Sequence, residues 1–356
     1  LIQSYGWSDA LQRDFEPHAA RGLIPGRIIV QQRGLYDIAT DAGELTAQIS
    51  GRLAHEAERG GYPAVGDWVA AAPRPGEQAA VIHAVLPRRT AFVRKAADSV
   101  ATEQVVAANV DVALLVASMN ADFNARRLER YLATAWQSGA SPVVVLTKAD
   151  LAADPDGPVA EAEAVAFGAP VLAVSAMTGQ GLEALAVLLK PGQTAVLVGS
   201  SGVGKSSLVN ALAGADLMAT AAIREADAHG RHTTTHRELV RLPSGALILD
   251  TPGMRELGLL DAESGLSATF EDIEALAETC RFADCGHTNE PGCAVRESLD
   301  GGALDPGRWK SFRKLQRELA HVARQSDPVS REAERRKWIK VHKAAREHMK
   351  HKGRGW

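Results

Sequence analysis

The residues best suited to chemistry in this 356-residue chain stand together at 199–207: Gly199, Ser200, Ser201, Gly202, Val203, Gly204, Lys205, Ser206 and Ser207. They follow the apolar run TAVLV and open into SLVNALAG, so strand, glycine-rich loop and helix come in immediate succession. The pattern G-x-x-x-x-G-K-S binds phosphate for a physical reason. Glycines let the backbone wrap closely, and its N–H groups and the positive helix end face the anion. Lys205 would neutralise β- and γ-phosphate charge, and the Ser206 hydroxyl would ligate Mg²⁺. A second set, DTPG at 250–253, ends the apolar run ALIL. Asp250 at a strand end can hold the metal through water, while the Gly253 N–H can sense a γ-phosphate. Between them RHTTTHREL, at 231–239, offers Thr233, Thr234 and Thr235, of which Thr234 is expected to complete the magnesium shell.

Base selection falls to TKAD at 147–150. The Asp150 carboxylate can accept two N–H bonds from guanine, and adenine presents no such pair of donors. Lys148 would lay its aliphatic stem along the purine. Thr147 stands where N-K-x-D motifs carry Asn, which reduces the hydrogen bonding available in the pocket. SAMTG at 175–179 closes the next apolar run, placing Ser175 and Ala176 at a strand end, where the Ala176 N–H can meet guanine O6.

All three cysteines fall in one short stretch, Cys280-x₄-Cys285-x-His287-x₅-Cys293. Three thiolates and an imidazole make a closed tetrahedral donor set for one structural Zn²⁺, with no open position for catalysis. An odd cysteine count argues against a disulfide framework.

The order of the motifs carries information. Nucleotide switches of this type run phosphate loop, switches, then base motifs, whereas here the base motifs at 147 and 175 precede the loop at 199. The same sheet is wired this way when the old termini are joined and the chain is opened after DTPG, a circular permutation that nearby termini tolerate.

These motifs need elements to hold them. Five short alternating or β-branched runs within 27–90 predict a small barrel, of the OB type first and SH3-like second. From about 100, apolar runs alternate with helical stretches, which predicts a parallel sheet covered on both faces. The fold class expected is therefore an α/β P-loop GTPase, circularly permuted, with an N-terminal five-stranded OB-type β-barrel and a C-terminal helical zinc-binding module. The divisions expected are a helical extension at 1–26, the barrel at 27–90, the GTPase domain at 91–258 and the zinc module at 259–356. A helix is predicted to open with Asp305 as its N-cap and Pro306 in its first turn.

Composition sets the outer bounds. Apolar residues at 46% and charged residues at 23% exclude wholesale disorder. No run approaches the ~18 apolar residues of a membrane span. The amphipathic, acidic start does not read as a signal peptide, so a cytoplasmic protein is expected, and a monomer. The formal charge of −3 hides an asymmetry, because residues 331–356 hold ten Lys/Arg against three Asp/Glu. That basic tail suits a polyanionic partner.

Taken in order, TKAD, SAMTGQG, GSSGVGKSS, GRHTTTHREL and DTPGMREL, followed by the Cys/His cluster, resemble the circularly permuted GTPases of the RsgA (YjeQ) family over nearly the whole chain. The resemblance implies an OB-fold domain, one structural zinc, Mg²⁺ with GTP or GDP, and slow hydrolysis stimulated by the small ribosomal subunit, whose rRNA is the partner. It also implies a catalytic role for His232, in the segment matching GRHTTT, because Met254 beyond DTPG has no group that orients water. The alternatives are a permuted GTPase acting on the large subunit or another RNA, and a non-catalytic, nucleotide-gated RNA-binding module.

Overall fold

A computed structural model describes residues 1–32, 34–60, 62–95, 103–119, 123–218, 237–250 and 263–326. A short 3₁₀ turn, Ile2–Tyr5, leads into helix α1, Asp9–Ala19, whose N-terminus is capped by the Ser8 hydroxyl accepting from Leu11 N. Leu11 and Phe15 are buried, and Trp7 meets Trp68 edge-on at 4.9 Å, so this segment seals one side of the barrel.

The barrel strands are β1 (Ile24–Gln32), β2 (Leu35–Thr40), β3 (Gly43–Ile49), β4 (Trp68–Pro73) and β5 (Ala79–Val85). Their order β1-β2-β3-β5-β4 closes through a β1–β4 pairing, and β3–β5 is parallel while the other pairs are antiparallel. Helix α2, Gly51–Gly60, connects β3 to β4, and this wiring is of the OB type. A two-stranded hairpin, β6 (Ala91–Lys95) with β7 (Glu103–Ala108), follows, an element that the sequence pattern does not announce.

The second domain alternates β8 (Val112–Ser118), α3 (Ala125–Ser138), β9 (Ser141–Thr147), α4 (Asp156–Ala166), β10 (Val171–Ala173), α5 (Leu182–Leu188), β11 (Thr194–Val198), α6 (Lys205–Ala213), β12 (Arg237–Arg241) and β13 (Leu247–Asp250). In space the order is β10-β9-β8-β11-β13-β12. The first five are parallel, so their carboxyl ends share one edge, and β12 runs antiparallel to β13. Alternate residues feed opposite faces. Leu115 and Leu146 pack with Leu128 and Leu132 of α3, whereas Leu114 and Val145 pack with Leu185 of α5 and Leu208 of α6.

The two domains share one sheet. In its first half β1 pairs with β4, and in its second half it pairs instead with β12, Val30 opposite Glu238 and Gln31 opposite Arg237. Glu238 is in turn opposite Asp250, so one row of residues runs from the barrel to the end of β13. Arg27 bolts the seam. Its buried guanidinium donates to Tyr5 O, to Gly66 O (3.3 Å), to Asn109 O (3.2 Å) and to Thr194 Oγ1 (2.7 Å), and lies 5.2 Å from the Trp68 ring. Burial lowers its pKa to about 10, which leaves it charged at neutral pH.

Among the described residues, the C-terminal module contains α7 (Glu263–Thr269), α8 (Glu271–Glu278), α9 (Ala294–Asp300) and α10 (Pro306–Ser326). Asp305 Oδ2 accepts from Arg308 N at 2.7 Å, so α10 opens at the N-cap that the sequence indicates. Phe270, Phe312, Leu315 and Val295 form its core. Gly265 fits α7 against α3, where a Cβ would stand 2.1 Å from Ala133 O. Arg308 ties the module to α3, donating to Glu129 Oε1 (3.1 Å) on one side and to both Asp272 oxygens (2.7 and 2.8 Å) on the other. Among the described residues no helix is long and apolar enough to cross a membrane.

Candidate nucleotide and metal sites

In doubly wound sheets, ligands bind where the chain departs in opposite directions beyond the carboxyl ends of the strands. Here that point lies between β8 and β11. From β8 the chain proceeds outward to β9 and β10, and from β11 it proceeds to β13 on the other side. Residues 199–204 leave β11 at that point and enter α6 at Lys205. Gly199 passes so close to β8 that a Cβ would sit 2.3 Å from Val116 O, and Gly204 takes φ +96° to turn into the helix. Lys205 Nζ donates to Gly199 O (2.7 Å) and to Ser200 O, which holds its charge within the loop. Ser206 and Ser207 occupy the first turn of α6, where backbone N–H groups have no partner within the helix and the positive helix end favours anions.

TKAD stands at the end of β9. Thr147 is buried, and its hydroxyl reaches across the end of β8 to Val203 O in the phosphate loop, with Ala117 O at 3.2 Å. Lys148, with φ +61°, sends Nζ to Gly202 O at 2.9 Å. Asp150 lies exposed in the 3₁₀ turn Ala149–Leu151, and that turn is tied to the neighbouring strand end through Ala149 N donating to Val174 O. Ser175 is buried, its hydroxyl accepting from Met177 N and Thr178 N, both at 3.2 Å. Ser175 therefore shapes the turn that presents Ala176, and its hydroxyl is engaged within that turn. Asp250 ends β13 on the same edge of the sheet. The structure thus brings the phosphate loop, TKAD, SAMTG and the start of DTPG to one edge. Gly253, Thr233, Thr234, Thr235, His232 and Met254 lie outside the described residues.

The family model for RsgA GTPase matches residues 85–260. A relative from Opitutus terrae, "Small ribosomal subunit biogenesis GTPase RsgA", is 49% identical over 99% of both chains. The chain belongs to the RsgA GTPase family. A relative of the same name from Streptomyces coelicolor is 47% identical, covering 95% of this chain and 92% of its own. Among solved structures, YjeQ from Thermotoga maritima superposes with a TM-score of 0.62 at 27% identity, over 84% of this chain and 99% of that one. YloQ, described as a circularly permuted GTPase, shares the fold with a TM-score of 0.59 at 24% identity, over 84% and 96% of the two chains. The permuted wiring read from motif order is the wiring of this fold.

The second site of this RsgA-family chain is the cluster Cys280, Cys285, His287 and Cys293, whose ligand atoms all lie within 4.8 Å of one another. Cys280 Sγ is 3.6 Å from His287 Nδ1 and 3.9 Å from Cys293 Sγ, and Cys293 Sγ is 3.4 Å from His287 Nδ1. Burial acts to raise the Cys280 thiol, but the backbone N–H groups of Val295 and Ala294 and the neighbouring sulfurs outweigh it and leave the thiol below its usual value. Cys285 is pushed up to about 11, by desolvation and then by the sulfurs of Cys293 and Cys280. Burial, with the Arg313 charge, lowers His287 and favours the neutral imidazole that a metal requires. Three sulfurs and one imidazole nitrogen gathered this closely are a donor set that a divalent cation completes. The residues fit zinc.

Glu290 is a structural residue of this site that sequence reasoning misses. Its carboxylate accepts from Gly286 N (3.1 Å), Thr288 N (2.7 Å) and Asn289 N (3.0 Å), buckling the loop that carries His287. Its own N–H and those of Thr288, Gly286 and Asn289 hold its pKa down at about 2. The signal available was a single acid inside the polar turn CGHTNEPGC.

Proposed function

We propose that this chain is a GTP-hydrolysing switch that binds the small ribosomal subunit and assists its late maturation. The observation that carries the guanine-nucleotide assignment is the joining of TKAD to the phosphate loop through Thr147 and Lys148. A base reader and a phosphate cradle bonded to each other at one sheet edge make a single pocket for a purine nucleoside triphosphate. The subunit assignment rests on the names of relatives that match nearly end to end.

In this reading Asp150 accepts from guanine N1–H and the exocyclic amine, Lys148 covers the base, and the Ala176 N–H meets O6. The loop from Gly199 to Gly204 wraps the β-phosphate with its N–H groups, and Lys205 neutralises charge that grows as the terminal P–O bond breaks. Ser206 and Thr234 would hold Mg²⁺, with Asp250 acting through water, and the ion supplies charge neutralisation at the phosphates. Gly253 senses the γ-phosphate. His232 positions the attacking water, a role supported by its place beside the switch threonines and by the thioether at Met254. Cys280, Cys285, His287 and Cys293 would hold one structural zinc, which would tie together the loop of the C-terminal module. The protein acts in the cytoplasm as a monomer, bound to the subunit and its rRNA with GTP and released after hydrolysis.

Co-sedimentation with purified small and large subunits, in a non-hydrolysable GTP analogue and in GDP, tests this. Retention on the small subunit with the analogue and release with GDP is expected. Preference for the large subunit, or equal retention with both nucleotides, contradicts it.

A further inference from the structure

Resting on the assignment of TKAD as the guanine reader, we propose that Thr147 is a positioning residue that commits its only proton to the phosphate loop, so this pocket reads the Watson–Crick edge of guanine and leaves N7 unread. A carboxamide at this position would bring two N–H donors, enough to hold the loop and still face a purine acceptor. A threonine hydroxyl has one.

Two backbone carbonyls stand within reach of that one. Thr147 is 4% exposed, and its Oγ1 approaches two backbone acceptors, Val203 O at the closer distance and Ala117 O at 3.2 Å. One proton serves one carbonyl strongly, and no donor on this side chain remains for a base. The hydroxyl also stands where Gly204 turns into α6, since a Cβ on Gly204 would be 3.5 Å from Thr147 Oγ1. Strand β9 and the loop after β11 are not neighbours in the sheet, because β8 lies between them. The side-chain bonds of Thr147 and Lys148 therefore bridge base strand and phosphate loop across that gap. Thr147 acts on phosphate binding through the loop, and Asp150 carries base selection.

The test compares equilibrium affinities for GTP, inosine triphosphate and 7-deaza-GTP on the full chain, then repeats them on Thr147→Val and Thr147→Ser. Inosine triphosphate lacks the exocyclic amine and reports on the guanine reader itself. Binding as tight as that of GTP overturns the assignment of TKAD and leaves the N7 question to the third ligand. 7-Deaza-GTP lacks only the N7 acceptor. Affinity within about twofold of GTP is expected, because no buried hydrogen bond is removed. A tenfold or larger loss overturns the proposal, whatever inosine triphosphate does. Thr147→Val should weaken GTP and 7-deaza-GTP by the same factor, on the order of tenfold, as one buried hydrogen bond is removed. Thr147→Ser, which keeps the hydroxyl, should restore affinity. Unchanged GTP binding in the folded valine variant shows that the hydroxyl does not pin the loop and overturns that part. If the valine variant fails to fold, the 7-deaza comparison on the unaltered chain still decides.

Discussion

The nucleotide edge and the zinc loop fix functional side chains in opposite ways. At the nucleotide edge, five parallel strands deliver their carboxyl ends to one line, and hydrogen bonds such as Thr147 to Val203 O and Lys148 to Gly202 O trim loops that the sheet has already placed. Residues 281–293 between α8 and α9 contain no helix or strand of their own. That loop takes its shape from the clustered Cys280, Cys285, His287 and Cys293, which fit zinc, from the Glu290 carboxylate and from the ring of Trp309 against His287 at 5.8 Å. The difference teaches where each site should fail. A sheet-borne site weakens in steps as individual hydrogen bonds are removed, whereas a ligand-borne loop loses its structure together with its metal.

The largest expected effect breaks the second region alone. One zinc per chain is expected from metal analysis of protein purified without chelator. Its removal, or Cys285→Ser, should withdraw a stabilisation on the order of 10 kcal/mol from the loop. Hydrogen exchange should then show loss of protection around 280–293, while GTP affinity stays within about twofold, since α6 and β11 have their own core. A parallel collapse of nucleotide binding contradicts the separation.

Next in size is the joint between the regions. Arg308→Met takes from the buried Glu129 carboxylate one of its two arginine partners, the other being Arg126 at 2.8 Å, and stability to urea should fall by roughly 3 kcal/mol. The double variant Arg308→Met with Glu129→Met should recover part of that loss, because the buried carboxylate is removed with its partner, while Asp272 and Arg126 are half-buried or exposed and keep access to water. No recovery indicates that the contacts of the Arg308 guanidinium with Asp272 and with the face of the Phe270 ring, not its pairing with Glu129, carry the joint.

Asp150→Asn sharpens the first region. GTP should bind about a hundredfold more weakly, as expected when a paired polar interaction is mismatched. Xanthosine triphosphate, whose base edge suits an amide, should gain. Unchanged base preference removes TKAD as the reader. The smallest effect expected is that of the basic tail. Deleting residues 331–356 should flatten the salt dependence of subunit binding, by about 0.7–0.9 in log–log slope for each phosphate that the tail no longer neutralises, and leave nucleotide affinity unchanged.

The legible and illegible parts of the molecule divide along physical lines. Strands β8, β9 and β11 are readable because burial on both faces makes them continuous apolar runs, and their ends are marked by motifs whose chemistry restricts the residue types. Asp305 announces α10 because a cap and Pro306 sit together. The pairing of β1 with β12 is not readable. RELVR is a short, half-polar strand, and its partner lies more than 200 residues away in the chain, so neither period nor turn chemistry points to it. Arg27 is silent for the same reason: its four acceptors are three backbone carbonyls and a threonine hydroxyl contributed by scattered segments. In the sequence Thr147 is only a weakened base reader, and the fold alone shows Val203 O beside its hydroxyl.

The central claim is a GTPase switch answering to the small subunit, and single-turnover GTP hydrolysis measured alone, with small subunits and with large subunits tests it most directly. The account predicts a slow rate for the protein alone, on the order of 10⁻⁴–10⁻² s⁻¹ as in switches without an added catalytic group. It predicts a marked rise with small subunits only, most of which His232→Ala abolishes while GTP affinity stays within a few-fold. A rate indifferent to small subunits, or raised equally by large ones, contradicts it.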